Sequence, residues 1–114
     1  MSEDLFLKII DREIPADIVF ENDDVLAFRD VNPQAPLHVL IIPKNHIRTI
    51  NDMRQEDAEL FGKLFLAARE IAAEHNVAED GYRVVMNCNS AAGQTVFHVH
   101  LHLLGGRGFD WPPG

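Results

Sequence analysis

Cysteine is almost missing from this chain: Cys88 is the one thiol in 114 residues. That count excludes an internal disulfide and any four-cysteine zinc framework, and it fits a reducing compartment. No apolar run approaches the ~18 residues that a bilayer span needs, so no membrane association is expected. The opening MSEDLFLKII carries acids and no basic segment, so no secretory leader is expected either, and the expected location is cytoplasmic. Basic charge is scarce: 10 Lys and Arg stand against 18 Asp and Glu, for a net charge of −8. Such a balance opposes general nucleic-acid binding, whose affinity comes mainly from cations displacing counterions off a phosphate backbone. Repeats, low-complexity tracts and Gly/Ser linkers are also absent, so residues 1–114 are read as a single domain. A chain of this length folds around its own core but has little room for separate cofactor and substrate modules.

The acids that are present are unevenly spread. Sixteen of the eighteen lie in residues 1–29 and 52–80, while 31–51 and 81–109 contain none and carry Lys44, Arg48, Arg83 and Arg107. Two acid-free segments in an acidic protein are where a small anionic ligand is expected.

Punctuation and periodicity divide the chain into elements. Leu5, Phe6, Ile9 and Ile10 recur at helical spacing behind Ser2, Glu3 and Asp4, a cap and acidic first turn, and the pattern stops before Pro15. Ile18 to Phe20 and Val25 to Phe28 are β-prone runs around a polar turn, and Leu37 to Ile42 is a third, ended by Pro43. From Arg54 to about His75, Ala58, Phe61, Leu64, Phe65, Ala68, Ile71 and Ala72 keep the rhythm of a long amphipathic helix. Tyr82 to Asn87 and Thr95 to Leu104 supply two more strands. Helix, three strands, helix, two strands predicts an α+β fold with a mainly antiparallel sheet.

The last predicted strand carries the chemistry. Side chains on a strand alternate between faces, so Phe97, Val99, Leu101 and Leu103 share one face and His98, His100 and His102 the other. The apolar face should lie against the helices, which leaves half of the six histidines on the opposite face. A metal site using all three is a wide reach, since the outer Cα atoms of an extended strand are ~13 Å apart unless sheet twist shortens the span, though two could ligate one ion. The alternative is nucleophilic catalysis: a central imidazole with a neighbour on either side to orient it, donate a proton or stabilise charge. Crowding should keep at least one ring neutral near pH 7, and His100 is the candidate nucleophile. If the strand from Leu37 pairs beside the last one, His38 can hydrogen-bond the triplet and fix a tautomer; otherwise it is an unrelated edge histidine. His46 and His75 read as surface residues. The loop from Asn87 to Gln94, rich in small and amide residues, can turn several backbone N–H groups toward one phosphate.

His98-Val-His100-Leu-His102-Leu-Leu matches the H-x-H-x-H-x-x signature, with x hydrophobic, of the histidine triad (HIT) superfamily. Phe28 to His38, Ile42-Pro43-Lys44-Asn45-His46-Ile47, Gly93-Gln94 and the ending Trp111-Pro112-Pro113-Gly114 resemble its Hint branch along nearly the whole length. The resemblance implies a five-stranded antiparallel sheet with two helices, and a homodimer whose sheets join into one of ten strands. It implies hydrolysis of purine nucleoside 5′-phosphoramidates through a nucleotidyl-histidine intermediate; no cofactor and no metal are expected. His100 is then the nucleophile, His102 binds the phosphate, and His98 and His38 support them. Asp30 takes the ribose hydroxyls; Phe6, Ile9, Phe28 and Val31 form the slot for the base; Asn87, Gly93, Gln94 and Thr95 line the phosphate and leaving-group region. Trp111 borders the neighbouring subunit's site.

Two departures stand out. Thr95 replaces the Ser common in that branch, which adds a methyl near the leaving group, and Cys88-Asn89-Ser90-Ala91-Ala92 differs from the usual loop. His102 and the WPPG ending set the chain apart from the dinucleoside polyphosphate hydrolases and nucleotidyltransferases of the superfamily. Dinucleoside polyphosphate hydrolysis is nonetheless the alternative enzymatic reading, and a nucleotide-binding scaffold with residual catalysis is the non-enzymatic one.

Overall fold

The structure, a computed structural model, describes residues 4–114; Ser2 and Glu3, expected to cap the first helix, lie outside them. The elements run α1 (Asp4–Ile10), β1 (Ile18–Glu21), β2 (Val25–Arg29), β3 (Leu37–Pro43), α2 (Ala58–Glu74), β4 (Tyr82–Val85) and β5 (Leu101–Gly105). The five strands form one antiparallel sheet in the order β1-β2-β3-β5-β4. Asn22 closes the β1–β2 turn by accepting hydrogen bonds from the Asp24 and Val25 amides at 2.9 Å each. No helix is long and apolar enough to cross a membrane among the described residues.

Both faces of the sheet are covered, which is why β2 and β3 read as unbroken apolar runs rather than alternating ones. On one face Val25, Ala27, Val39, Ile41, Val99, Leu101 and Leu103 pack against Phe61, Leu64, Ala68 and Ile71 of α2. On the other, Leu26, Phe28, Leu40 and Ile42 pack against Phe6 and Ile9 of α1. Each large apolar side chain so buried contributes about 1.5–3 kcal/mol. The expectation that one face would lie against both helices is therefore corrected: α1 lies on the histidine side. Phe65 of α2 also departs from the predicted stripe, at 52% exposure; its neighbour Leu66, outside that stripe, is 53% exposed.

The last strand is shorter than expected. β5 begins at Leu101, opposite Ile41 of β3, because β3 ends at Pro43, which has no N–H to extend the ladder. Residues 95–100 are held instead by single bonds, among them Val99 N–H to the Ile47 carbonyl at 2.8 Å. The alternation of side chains nevertheless persists: Val99, Leu101 and Leu103 are in the α2 core, and His98 and His100 touch Phe6 on the other side. Phe97 leaves that core face and lies under the Arg48 guanidinium, 5.1 Å from its ring centre.

Candidate active site

The strand register lines up the histidines. His38 faces Leu104 and Leu40 faces His102 across the β3–β5 ladder, while Val85 faces His102 and Arg83 faces Leu104 across β4–β5. His38, His98 and His100 are buried, and His102 is partly so. The rings lie close together: His100 to His102 at 5.1 Å, His38 to His102 at 5.2 Å, and Phe6 edge-on to His100 at 5.1 Å between centroids.

Hydrogen-bond partners assign the protons. A carbonyl oxygen only accepts, so His100 Nδ1, 2.7 Å from the His98 carbonyl, carries its ring proton and leaves a lone pair on Nε2. The Gln34 amide donates to His38 Nδ1 at 3.0 Å, which places the His38 proton on Nε2. That N–H donates to His102 Nδ1 at 3.0 Å, so His102 in turn carries its proton on Nε2. Two adjacent imidazoles therefore hold opposite tautomers, one with a lone pair and one with a donor at Nε2. His98 Nε2–H is anchored to the Pro43 carbonyl at 2.7 Å, and its Nδ1 is buried without a partner among the described residues.

Burial is the first cause of every histidine shift here. It lowers His98 and His102 from 6.5 to about 4 and lowers His100 and His38 as well. Like-charge crowding, which the sequence suggested as the cause, adds to the effect at His98 and His102 but ranks behind desolvation. The rings are neutral at pH 7 because the site is dry.

Phe6, Ile9, Phe28, Leu40, Asp30 and Val31 line a mainly apolar cavity of about 460 Å³, within the range of small-ligand sites. Asp30 Oδ1 accepts the Asn32 amide at 2.9 Å, and its Oδ2 lies 3.4 Å from His38 Nε2. Asp30 thus forms the turn and still presents carboxylate lone pairs at the cavity. Asn87 lies elsewhere, with His38 and His102 in a second cavity. The loop amides do not form the expected open nest: those of Ala92, Gly93 and Gln94 bond to the Asn89 and Ser90 carbonyls, and that of Asn89 to Gln94 Oε1. Gln94 is buried and its side-chain amide also donates to the Arg48 and Val96 carbonyls, so it fastens the loop. Thr95 and Gly93 are exposed, and Trp111 is 83% exposed.

One group has the composition of a metal site: Asp30, His38 and His102 each offer an atom within 4.8 Å of the others. The Gln34 amide counts against it. By occupying His38 Nδ1, it forces the proton onto Nε2, the nitrogen that a cation would need bare.

Several contributors were not assigned to the site from the sequence. The Gln34 amide and the Pro43 carbonyl are backbone groups, which no side-chain pattern reveals. His46 is exposed as expected, but its ring stacks on His98 with centroids 5.0 Å apart. Arg83, Arg107 and Phe109 border the second cavity, and the acid-free stretch 81–109 was the signal for them.

Residues 11–109 match the model of the HIT domain. The chain is 56% identical over 115 positions to an uncharacterized HIT-like protein of Synechococcus elongatus, covering all of both. It is 53% identical over 105 residues to the purine nucleoside phosphoramidase of Escherichia coli, covering 92% of this chain and 88% of that one. Among solved structures, a HIT family hydrolase from Legionella pneumophila superposes with a TM-score of 0.95 at 55% identity, covering 96% of this chain and 98% of that one.

Proposed function

The chain belongs to the HIT domain family, with hydrolases among its relatives, and on that premise we propose that it hydrolyses purine nucleoside 5′-phosphoramidates through a nucleotidyl intermediate on His100. The observation that carries this reading is the 2.7 Å bond from His100 Nδ1–H to the His98 carbonyl, which leaves Nε2 as a bare, neutral nucleophile. The 53% identity to the E. coli phosphoramidase supports the substrate class.

The purine and ribose occupy the apolar cavity, with Asp30 accepting the vicinal hydroxyls and Phe6, Ile9, Phe28 and Val31 around the base. His100 Nε2 attacks phosphorus, an N–P bond forms, and the P–N bond to the amine breaks as the amine takes up a proton from solvent. His102 Nε2–H donates to a phosphoryl oxygen as charge shifts onto it. Water then cleaves the His100 adduct, so one water is consumed and the products are amine and nucleoside 5′-monophosphate. Thr95 and Asn87 border the leaving side. The reading includes a homodimer, supported by β4 at the sheet edge and by exposed Phe65 and Leu66 on α2; in it, Trp111 approaches the neighbouring site.

The experiment follows amine release from an adenosine phosphoramidate by wild type and His100→Asn, with mass spectrometry of acid-quenched samples. Wild type should turn over and carry the nucleotidyl adduct on His100, and the variant should do neither. Equal turnover by both would remove His100 from the reaction.

A further inference from the structure

On the β4 side of the histidines lies the second cavity, of about 270 Å³, bordered by His38, His102, Asn87, Arg83, Arg107 and Phe109. Sheet order separates it from the nucleoside cavity, which lies over Phe28 of β2 and Leu40 of β3. Two guanidinium groups share one aromatic ring here: Arg107 lies 4.3 Å and Arg83 5.2 Å from the centre of Phe109. Both are fixed by carbonyl oxygens, Arg107 Nε by Gln34 at 2.9 Å and Arg83 by Asp110 at 2.9 Å.

What singles this pair out is that two cations meet on one ring in a cavity without acids. Arg12, Arg29, Lys44, Arg54 and Lys63 each face an Asp or Glu. Arg83 and Arg107 have no carboxylate at ion-pairing distance among the described residues, and no acidic side chain lines their cavity. In a protein of net charge −8, two adjacent cations held by neutral acceptors are a built complement to an anion. Each retains N–H donors beyond the bonds that hold it, in the planar fork that matches carboxylate and phosphate oxygens.

Resting on the phosphoramidase reading, we propose that Arg83 and Arg107 form a subsite for an anionic group on the leaving side of phosphorus. The nucleoside takes the apolar cavity, His100 and His102 take the phosphoryl group, and the cavity sharing His102 takes the rest of the substrate. Two chemistries present such an anion: the carboxylate of an amino acid joined through its nitrogen, and a further phosphate joined through oxygen.

The test compares kcat/KM for three substrates: the adenosine phosphoramidate of alanine with a free carboxylate, its carboxamide counterpart, and a dinucleoside triphosphate. Wild type should favour at least one anionic substrate over the carboxamide by about tenfold, the effect of a charge-assisted contact. Arg107→Gln and Arg83→Gln should each bring that ratio toward one, with partial rescue in Arg107→Lys; a ratio taken within one variant cancels any loss of folded enzyme. Preference for the alanine carboxylate assigns the amino acid, and preference for the triphosphate assigns the polyphosphate. Equal use of all three by wild type, or an unchanged ratio in both glutamine variants, overturns the subsite and leaves the phosphoramidase reading intact. Failure to release amine from either phosphoramidate overturns that reading instead. The subsite is then judged by calorimetry with the catalytically silent His100→Asn protein, where the same tenfold ratio in Kd and its loss on adding Arg107→Gln are required.

Discussion

Acid should destabilise this protein through His98 by an amount that the structure sets. Its ring is buried, its Nε2–H is fixed to the Pro43 carbonyl, and burial lowers it from 6.5 to about 4. Between those two values the unfolded chain binds the proton and the folded chain does not, so stability falls as pH falls. The contribution of His98 is complete above 6.5 and is lost as pH drops through about 4. The gap corresponds to about 3 kcal/mol, approached with a slope of about 1.4 kcal/mol per pH unit per proton. Replacing His98 with Leu, of similar volume, removes this titration. Urea denaturation at intervals between pH 4 and 7.5 should therefore give a shallower dependence for His98→Leu than for wild type. The difference should approach one proton across that window, whatever the variant's stability at pH 7.5. His102, also lowered to about 4, and His38 and His100, lowered in the same direction, should keep titrating in both proteins. Parallel curves for the two proteins would refute the reasoning, because they would mean that folding leaves the proton affinity of His98 unchanged.

Three further outcomes follow from the site and its surroundings. His38→Leu removes the donor to His102 Nδ1 and leaves the Gln34 amide without its acceptor. It should cost about 1–3 kcal/mol in stability, and ¹⁵N NMR should show His102 no longer confined to the Nε2–H tautomer; a single retained tautomer would contradict the relay. Asp30→Asn keeps an acceptor for Asn32 but loses the carboxylate, so KM for an adenosine phosphoramidate should rise about tenfold with kcat nearly constant, and a 2′,3′-dideoxy substrate should show no change. Gly106→Ala combines a φ of +92° with a Cβ placed 2.9 Å from Pro36 Cβ, and thermal or urea denaturation should register about 1–3 kcal/mol of destabilisation.

The sequence by itself determined the class of fold, the identity of the strands and the alternation that gathers three histidines. Periodicity is a local property, and His98, His100 and His102 at alternate positions end up on one side even though the ladder reaches only to Leu101. Its ends were less legible: Pro43 stops β3, and through it β5, and a strand's length depends on its partner's backbone. Only the tertiary structure placed β3 against β5, so that His38 reaches His102, and put α1 on the histidine side, where Phe6 helps to keep the rings dry. The proton positions are set by backbone groups, two near in sequence and one far. His100 is oriented by a carbonyl two residues away, His38 by the Gln34 amide, and His98 by Pro43 across 55 residues of chain. Side-chain alternation is written into successive residues, whereas burial and the direction in which a backbone N–H or carbonyl points are decided only by the folded chain. Which imidazole offers a lone pair and which a proton was for that reason beyond any reading of the residues in order.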